Sequence, residues 1–322
     1  MLILNKEHIL ETVSFLDILQ VVEEALERQE SGDYLMPDRM HVENGENVFL
    51  LMPSFADQYF STKLVSVFPG NSKLKLPSTQ AAIVLMDGKS GKILSLLDGT
   101  TITGLRTGAV GALGLAYTTP VEISRVGLIG AGYQGFHQLL FAAAVRNLVE
   151  VNIYDPSLKD ENLFREQIQK YFPHLSIHFR PDSREVVENS EAVITATTSM
   201  EPVLPDDESL LRDKHFIGIG SFKPTMREYP DAIFRCIKRV FVDTDLAREE
   251  SGDISIPIEK HLLESEQVVR LGQLITNQLP IDVSGTTFFK SVGMALFDLY
   301  TARLIYETAL ENGTGEKVKW DF

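Results

Sequence analysis

A single cysteine, Cys236, is all that the 322 residues hold, so no intrachain disulfide framework can form. That scarcity fits a reducing cytosol, and the thiol reads as a small buried hydrophobe. Basic residues are also short: 30 Lys and Arg against 45 Asp and Glu leave a net charge of −15. A nucleic-acid surface needs a basic patch and none is visible, so no nucleic-acid partner is expected. Long apolar runs are missing too. No window holds 18 uninterrupted apolar residues, so no membrane span is expected. Met1–Leu10 carries charges and lacks a cleavage-site pattern, so no signal peptide is read and a cytoplasmic location is expected.

What the chain does hold is a glycine-rich turn in fitting surroundings. Its length suffices for about two domains, and 44% hydrophobic with 23% charged residues is a globular balance. At Val126–Gly135 a short apolar run ends in Gly130-x-Gly132-x-x-Gly135, and Phe136–Val145 follows at helical length. Gly130 permits the strand-to-helix turn, Gly132 lets backbone approach a pyrophosphate, and Gly135 lets the helix pack on the sheet. Asp155, 20 residues beyond Gly135, closes the apolar run Val149–Tyr154, the place of a carboxylate for the adenosine ribose hydroxyls. The expected cofactor is therefore NAD(H), with NADP(H) disfavoured by charge repulsion at Asp155.

Taken in order, Ser14–Ser31 reads as an amphipathic helix closed by Gly32, with Leu16, Leu19, Val22 and Leu26 as its apolar stripe. Strand-like stretches follow at Val48–Met52, Ser61–Phe68, Ala81–Met86 and Lys92–Leu97, the last two joined as a hairpin. Their short spacing predicts an antiparallel or mixed sheet. Thr101–Thr118 reads as a helix of small residues, suited to close packing on a sheet or on a second subunit. From Arg125 strand and helix alternate, the mark of a parallel sheet. The strands expected are Val126–Ile129, Val149–Tyr154, Ser176–Phe179, Ala192–Thr195, Phe216–Gly218 and Val240–Val242. Near Phe288 the chain is expected to leave this domain, Gly293–Leu310 to form a helix, and the tail from Glu311 to be loosely ordered. The fold class is α/β. A doubly wound parallel-sheet Rossmann domain for NAD spans 120–289, and a smaller α+β substrate-binding and dimerisation domain spans 1–119 and 290–322.

Two such domains imply a cleft, with the first supplying groups for a small anion. Arg39, Lys63 and Arg106 stand out. Lys63 shares a strand face with Val65 and Val67, so burial should lower its pKa and make it a usable proton donor or acceptor. Arg106, early in the small-residue helix, offers a planar fork for a carboxylate or phosphate. Each taken alone also fits a solvated charge at the edge of an element.

The sequence resembles the ornithine cyclodeaminase/mu-crystallin family over almost its whole length. The resemblance lies in Lys63-Leu-Val, Met86-Asp-Gly-Lys-Ser-Gly, Asp98-Gly-Thr-x-Ile-Thr-Gly-Leu-Arg106-Thr-Gly-Ala, Gly130-Ala-Gly-Tyr-Gln134-Gly, Thr195-Ala-Thr-Thr-Ser, Gly220-Ser-Phe-Lys-Pro-Thr-Met-Arg-Glu228, Glu250-Ser-Gly-Asp253, Leu271-Gly-Gln-Leu and Phe289-Lys-Ser-Val-Gly-Met-Ala-Leu-Phe-Asp298. It implies hydride transfer at the α-carbon of an amino or imino acid. It places Arg39, Lys63, Arg106 and Val292 at the substrate, and Lys63 and Ser221 in catalysis. At the cofactor it places Ser78, Thr79, Arg106, Gly130, Gly132, Tyr133, Gln134, Gly135, Asp155, Thr197, Gly218, Gly220 and Ser291. No metal is expected, and a homodimer is. Cyclodeaminases carry an aspartate just after the paired glycines of a Gly-Gly-Asp-x-Pro block. Ser221 stands there, as in mu-crystallin-like ketimine reductases, and a hydroxyl cannot act unaided as a base. The favoured activity is reduction of Δ1-pyrroline-2-carboxylate or a related cyclic ketimine, or alanine-dehydrogenase-like reductive amination. Ornithine cyclodeaminase activity is the alternative, and a non-catalytic ligand-binding protein of the same fold is a second.

Overall fold

Residues 1–319 are described by a computed structural model and fall into two compact units. One is Met1–Arg106 with the chain from Met294 onward; the other is Thr107–Gly293. The chain first passes between them at Arg106/Thr107, inside a helix, where the sequence reading set the limit at 119/120.

In the first unit, seven strands among the described residues form a mixed sheet. They are β1 (Leu2–Leu4), β2 (Met40–Asn44), β3 (Asn47–Ala56), β4 (Tyr59–Val67), β5 (Thr79–Asp87), β6 (Ile93–Asp98) and the short Glu316–Lys317. The order is Glu316–Lys317, β1, β6, β5, β4, β3, β2, antiparallel throughout except for β1 with β6. Side chains alternate across the sheet. On β4, Ser61, Lys63 and Val65 are buried and Leu64 is exposed. Lys63 lies directly between Met52 of β3 and Ile83 of β5, both buried and apolar. The C-terminal helix Ala295–Asn312 packs on β3, β4 and β5, and Ser54 Oγ donates to Ala295 O at 3.0 Å.

Two further helices precede β2: α1 (Lys6–Thr12) and α2 (Phe15–Ser31), the latter packed on the C-terminal helix. Ser14 and Asp17 cap α2 reciprocally, and Gly32, at φ +72°, ends it in the left-handed region. Its buried stripe is Ile18, Leu19, Val22, Ala25 and Leu26; Leu16, expected on that stripe, is exposed. The tail from Glu311 is not loose as far as Lys319. The helix runs to Asn312, Lys317 pairs with Leu2, and Val318 N donates to Met1 O at 2.9 Å. Residues 320–322 of that expectation lie outside the described residues.

In the second unit, the described residues form eight parallel strands. They are β7 (Arg125–Ile129), β8 (Glu150–Tyr154), β9 (Ser176–Phe179), β10 (Ala192–Thr195), β11 (His215–Gly218), β12 (Ile237–Val242), β13 (Val268–Arg270) and β14 (Thr286–Lys290). The order β13-β12-β14-β11-β10-β7-β8-β9 reverses direction at β7, the switch point where open α/β sheets take ligands. The expected six strands are all present. Near Phe288, where the chain is expected to leave this domain, it adds one strand not read from the sequence, β14, fully buried between β11 and β12, and the second unit ends at Gly293. Five residues ending in a lysine resemble a surface run, and only the tertiary pairing shows otherwise.

Helix α3 (Gly99–Thr118) begins in the first unit and continues in the second. Its small residues are used within the chain. A Cβ at Gly108 would overlap Phe141, one at Gly111 would overlap Gln138, and one at Gly114 would overlap Phe289. Phe141 and Gln138 belong to α4 (Tyr133–Val145). The close packing is therefore on α4 and β14, which compensates the poor helix propensity of glycine. No helix among the described residues is long and apolar enough to cross a membrane.

Candidate functional site

In the first unit, three elements bring buried charge to one place. Lys63 comes from the middle of β4, Arg106 from the second turn of α3, and Asp298 from the first turn of the C-terminal helix. Asp98 fixes where α3 starts, its Oδ1 accepting from Thr100 N at 2.9 Å and Thr101 N at 3.0 Å. Lys63 Nζ lies 2.7 Å from Asp298 Oδ2, and Arg106 Nε donates to Asp298 Oδ1 at 3.1 Å. All three side chains are buried. Burial pushes the Lys63 ammonium down to about 8; Asp298 opposes this, while Arg106 and Arg39 add to it. Burial also disfavours the charged form of Asp298, but Lys63 and Arg106 outweigh it and hold the carboxyl below its ordinary range. Two cations against one carboxylate leave an excess of positive charge among these buried side chains. Arg39 is half-buried just before β2. Asp298 closes one of the family motifs, Phe289–Asp298, and no role for it is readable from that motif. Its signal was an acidic residue at a helix start in an otherwise apolar helix.

In the second unit, the turn after β7 has the form the glycine pattern predicts. Gly130 has φ +97°, and a Cβ there would overlap Ala196 O. A Cβ on Gly135 would overlap Gly130 O. Gly132 differs: its φ of −83° suits any residue, and a Cβ there meets no protein atom. The fold gives no reason for glycine at 132, whereas close approach of a ligand does. Helix α4 starts at Gly132 with no side-chain cap, so its dipole end is left to an anion. Gln134 Oε1 is buried without a partner, an orphan that a ligand hydroxyl or amide can satisfy. At the end of β8, Asp155 accepts from Ala131 N at 2.8 Å on Oδ2 and from Ser157 N at 2.7 Å on Oδ1. Each oxygen retains a lone pair for a ribose hydroxyl. The next helix is capped by Asp160, so Asp155 is not its cap. These residues fit a dinucleotide.

Three fully buried carboxylates tie the neighbouring loops together. Glu228 accepts on Oε1 from Thr197 N (2.7 Å) and Oγ1 (2.9 Å). On Oε2 it accepts from Gly220 N (2.8 Å), Thr195 Oγ1 (3.0 Å) and Ser221 N (3.3 Å). One side chain thus joins the loops after β10 and β11. Asp243 accepts from Ser291 Oγ at 2.6 Å, Gly293 N at 2.7 Å and Val292 N at 3.2 Å, fixing the segment after β14. Asp253 accepts from the backbone N of Glu228 and Tyr229, with Lys290 Nζ 3.8 Å from its other oxygen. Burial pushes the Asp253 carboxyl up to about 6 against the pull of Lys290. None of these three was singled out as a site residue, since a carboxylate that accepts backbone N–H groups leaves no sequence spacing to read.

Gly218 ends β11, and Thr197, Gly220, Ser291 and Val292 lie on loops at carboxyl ends of neighbouring strands, with Gly130–Gly135 and Asp155 at the ends of β7 and β8. A Cβ at Gly220 would overlap Thr197 O, so glycine there serves the fold. Tyr133 is exposed, its ring 4.5 Å from that of His137. Ser221 is fully buried, its hydroxyl bonded to Met226 O and Ser251 Oγ at 2.8 Å each. Ser78 and Thr79 are exposed at the start of β5 in the first unit.

The reversing parallel sheet and the uncapped glycine turn define an α/β chain of the dinucleotide-binding class. Residues 1–313 match the ornithine cyclodeaminase/mu-crystallin family, and the chain belongs to that family. It is 31% identical over 285 residues to the Delta(1)-pyrroline-2-carboxylate reductase of Bacillus cereus, covering 86% of each chain. It is similar to the structure of Thermococcus litoralis Delta(1)-pyrroline-2-carboxylate reductase in complex with NADH and L-proline. That pair shows 32% identity, a TM-score of 0.92, and coverage of 99% of this chain and 100% of the other. An archaeal alanine dehydrogenase dimer with bound NAD is similar at 27% identity and TM-score 0.90, over 100% of this chain and 99% of that one.

Proposed function

We propose that the protein is an NAD(H)-dependent reductase that converts Δ1-pyrroline-2-carboxylate, or a related cyclic ketimine, to the L-imino acid. The observation that carries this reading is the buried Lys63–Arg106 pair, two cations sharing one carboxylate. Arg106 and Arg39 hold the substrate carboxylate. Lys63, with both protonation states accessible near pH 8, gives a proton to the imine nitrogen. Within the second unit Asp243 fixes Ser291 and Val292, positions that the family resemblance gives to cofactor and substrate. A dinucleotide held through its pyrophosphate at the Gly130–Gly135 turn would supply the hydride. Asp155 favours NAD(H) over NADP(H), because a 2′-phosphate would bring negative charge beside its carboxylate. The buried, engaged Ser221 hydroxyl supports a reductase over a cyclodeaminase, whose motif carries a carboxylate at that place. A second reading, reductive amination of pyruvate, is favoured by the similarity to alanine dehydrogenase.

The working form is a cytoplasmic homodimer joined through the first unit, while the second unit binds the cofactor. Support for the dimer comes from the outer face of the first sheet. Met40 (58% exposed), Val42 (47%), Phe49 (49%) and Leu64 (41%) form one apolar face there, with Val42 paired to Phe49 across the strands. Light scattering at micromolar concentration should return twice the chain mass; a monomer refutes the assembly.

Purified protein with NADH and the cyclic imine should oxidise NADH, monitored by absorbance. Absence of turnover with both cyclic imines and pyruvate plus ammonia overturns the reading. Proline and ammonia from ornithine without net NADH change would establish the cyclodeaminase instead. The reductive rate should fall as pH rises through about 8, because Lys63 then loses the proton it must give. Oxidation of the imino acid should gain over the same range.

A further inference from the structure

We propose that Asp298 is a positioning residue of this site, which fixes Lys63 and Arg106 on its two oxygens and keeps Lys63 charged at neutral pH. The proposal rests on the reading of Lys63 and Arg106 as the substrate clamp, and it assigns that clamp its missing counter-charge. The geometry is specific: Oδ2 faces Lys63 Nζ at 2.7 Å, and Oδ1 takes Arg106 Nε at 3.1 Å. That contact uses the inner guanidinium nitrogen, whereas a bidentate fork for a ligand carboxylate is presented at the two outer ones. Asp298 sits in the first turn of its helix, where the dipole stabilises negative charge, and it is fully buried.

The charged groups acting on Lys63 are Asp298, Arg106 and Arg39, and Asp298 alone among them is negative. Across the strands Lys63 meets only Met52 and Ile83. Without Asp298, a desolvated ammonium faces two guanidinium groups. Arginine stays protonated in proteins, so lysine is the group that gives up its proton.

Lysine carrying a 13C label at Cε allows the Lys63 titration to be followed by NMR, with Lys63→Arg identifying the resonance. In the native protein it should titrate near pH 8. Asp298→Asn should lower the midpoint by about one unit or more, since both raising influences come from Asp298. Asp298→Glu, which keeps the charge, should stay near the native midpoint. Asp298→Ser, smaller and open to water, is the second variant should the amide not fold, and NADH binding in the other unit serves as the folding check. An unmoved midpoint in the charge-removing variant, or an equal fall in the Glu variant, overturns the proposal.

A second readout is the affinity of the NADH-loaded protein for L-proline, whose carboxylate stays ionised throughout. The Asp298→Asn protein should bind about tenfold or more weakly at pH 8.5 and recover toward native affinity at pH 6.5. A loss equal at both pH values overturns the proposal in favour of plain structural damage. If the native protein binds no amino acid at all, the functional reading fails, while the NMR midpoints still decide the role of Asp298.

Discussion

The two clusters of buried charge in this molecule are built from opposite materials. In the first unit, Lys63 and Arg106 carry formal positive charge and one carboxylate, Asp298, orders them. In the second, Glu228 and Asp243 are carboxylates whose partners are chiefly backbone N–H and hydroxyl groups. The first arrangement leaves positive charge in excess, as the proposed carboxylate clamp requires. The second consumes its charge on the protein, and what it yields is loop shape. A buried carboxylate saturated by N–H donors is electrostatically quiet toward a ligand, yet it dictates where several backbone segments stand. Substitutions in the first cluster should therefore change substrate chemistry and leave cofactor binding alone. Those in the second should change cofactor binding and stability together.

The largest effect expected is at Arg106. Arg106→Leu removes a charged, bidentate partner and should lower kcat/KM for every carboxylate substrate by at least about a hundredfold. It should leave the NADH dissociation constant within about twofold of native. A comparable loss in NADH affinity would erase the division between the clusters, and unchanged kinetics would make Arg106 a bystander.

Next is Glu228→Gln. Replacing one oxygen by an amide NH2 sets donor against donor at either Thr197 or Gly220, each currently bonded at under 3 Å. Leaving such buried N–H groups unpaired should cost about 3 kcal/mol of folding stability, read by urea unfolding. NADH should bind more weakly while kcat with saturating cofactor holds. Weakened substrate binding with native NADH affinity would place Glu228 in the wrong class.

Asp155→Ala is smaller. It loses two backbone bonds and the ribose acceptor, so the preference for NADH over NADPH should shrink by about tenfold, measured as the ratio of kcat/KM values. A native enzyme that already prefers NADPH, or a ratio unmoved by the substitution, removes Asp155 from cofactor selection.

The ease of reading these regions from sequence follows the same division. The glycine turn, Asp155 and the strands β7 to β12 were legible because their signals are local: an apolar run, a turn residue, a fixed spacing. Lys63 was legible because a charge on an apolar strand face breaks a period of two. Asp298 needed three elements brought together from positions 63, 106 and 298, which no spacing encodes. Glu228, Asp243 and Asp253 were hidden because their partners are backbone groups, which every residue owns. Strand β14 was missed for a related reason. Its place between β11 and β12 is a pairing choice of the whole sheet, and its final lysine reads as exposed until Asp253 is placed opposite. The glycines of α3 announced close packing on a sheet or a second subunit, and within the chain Gly108, Gly111 and Gly114 lie against α4 and β14.

The smallest change in stability, and the sharpest test of the comparison, belongs to Gly132→Ala. Three glycines share the turn, and they are not equivalent. Gly130 is held at φ +97° with Ala196 O against it, and Gly135 lies against Gly130 O, so alanine at either must distort the turn. Gly132 has a φ of −83° and open space where a Cβ would stand. Alanine fits there without strain. It also restricts the unfolded chain, so stability should stay level or rise by about 0.5 kcal/mol. If that open space is where a pyrophosphate approaches the backbone, the added methyl should weaken NADH binding by about tenfold or more. The pairing of outcomes is what matters: native or higher unfolding temperature with impaired NADH binding marks a residue kept for the ligand. Gly135→Ala should lose both together, as a residue kept for the fold. Should Gly132→Ala bind NADH as tightly as the native protein, the phosphates do not pass over this turn, and the assignment of the cofactor to Gly130–Gly135 must be withdrawn.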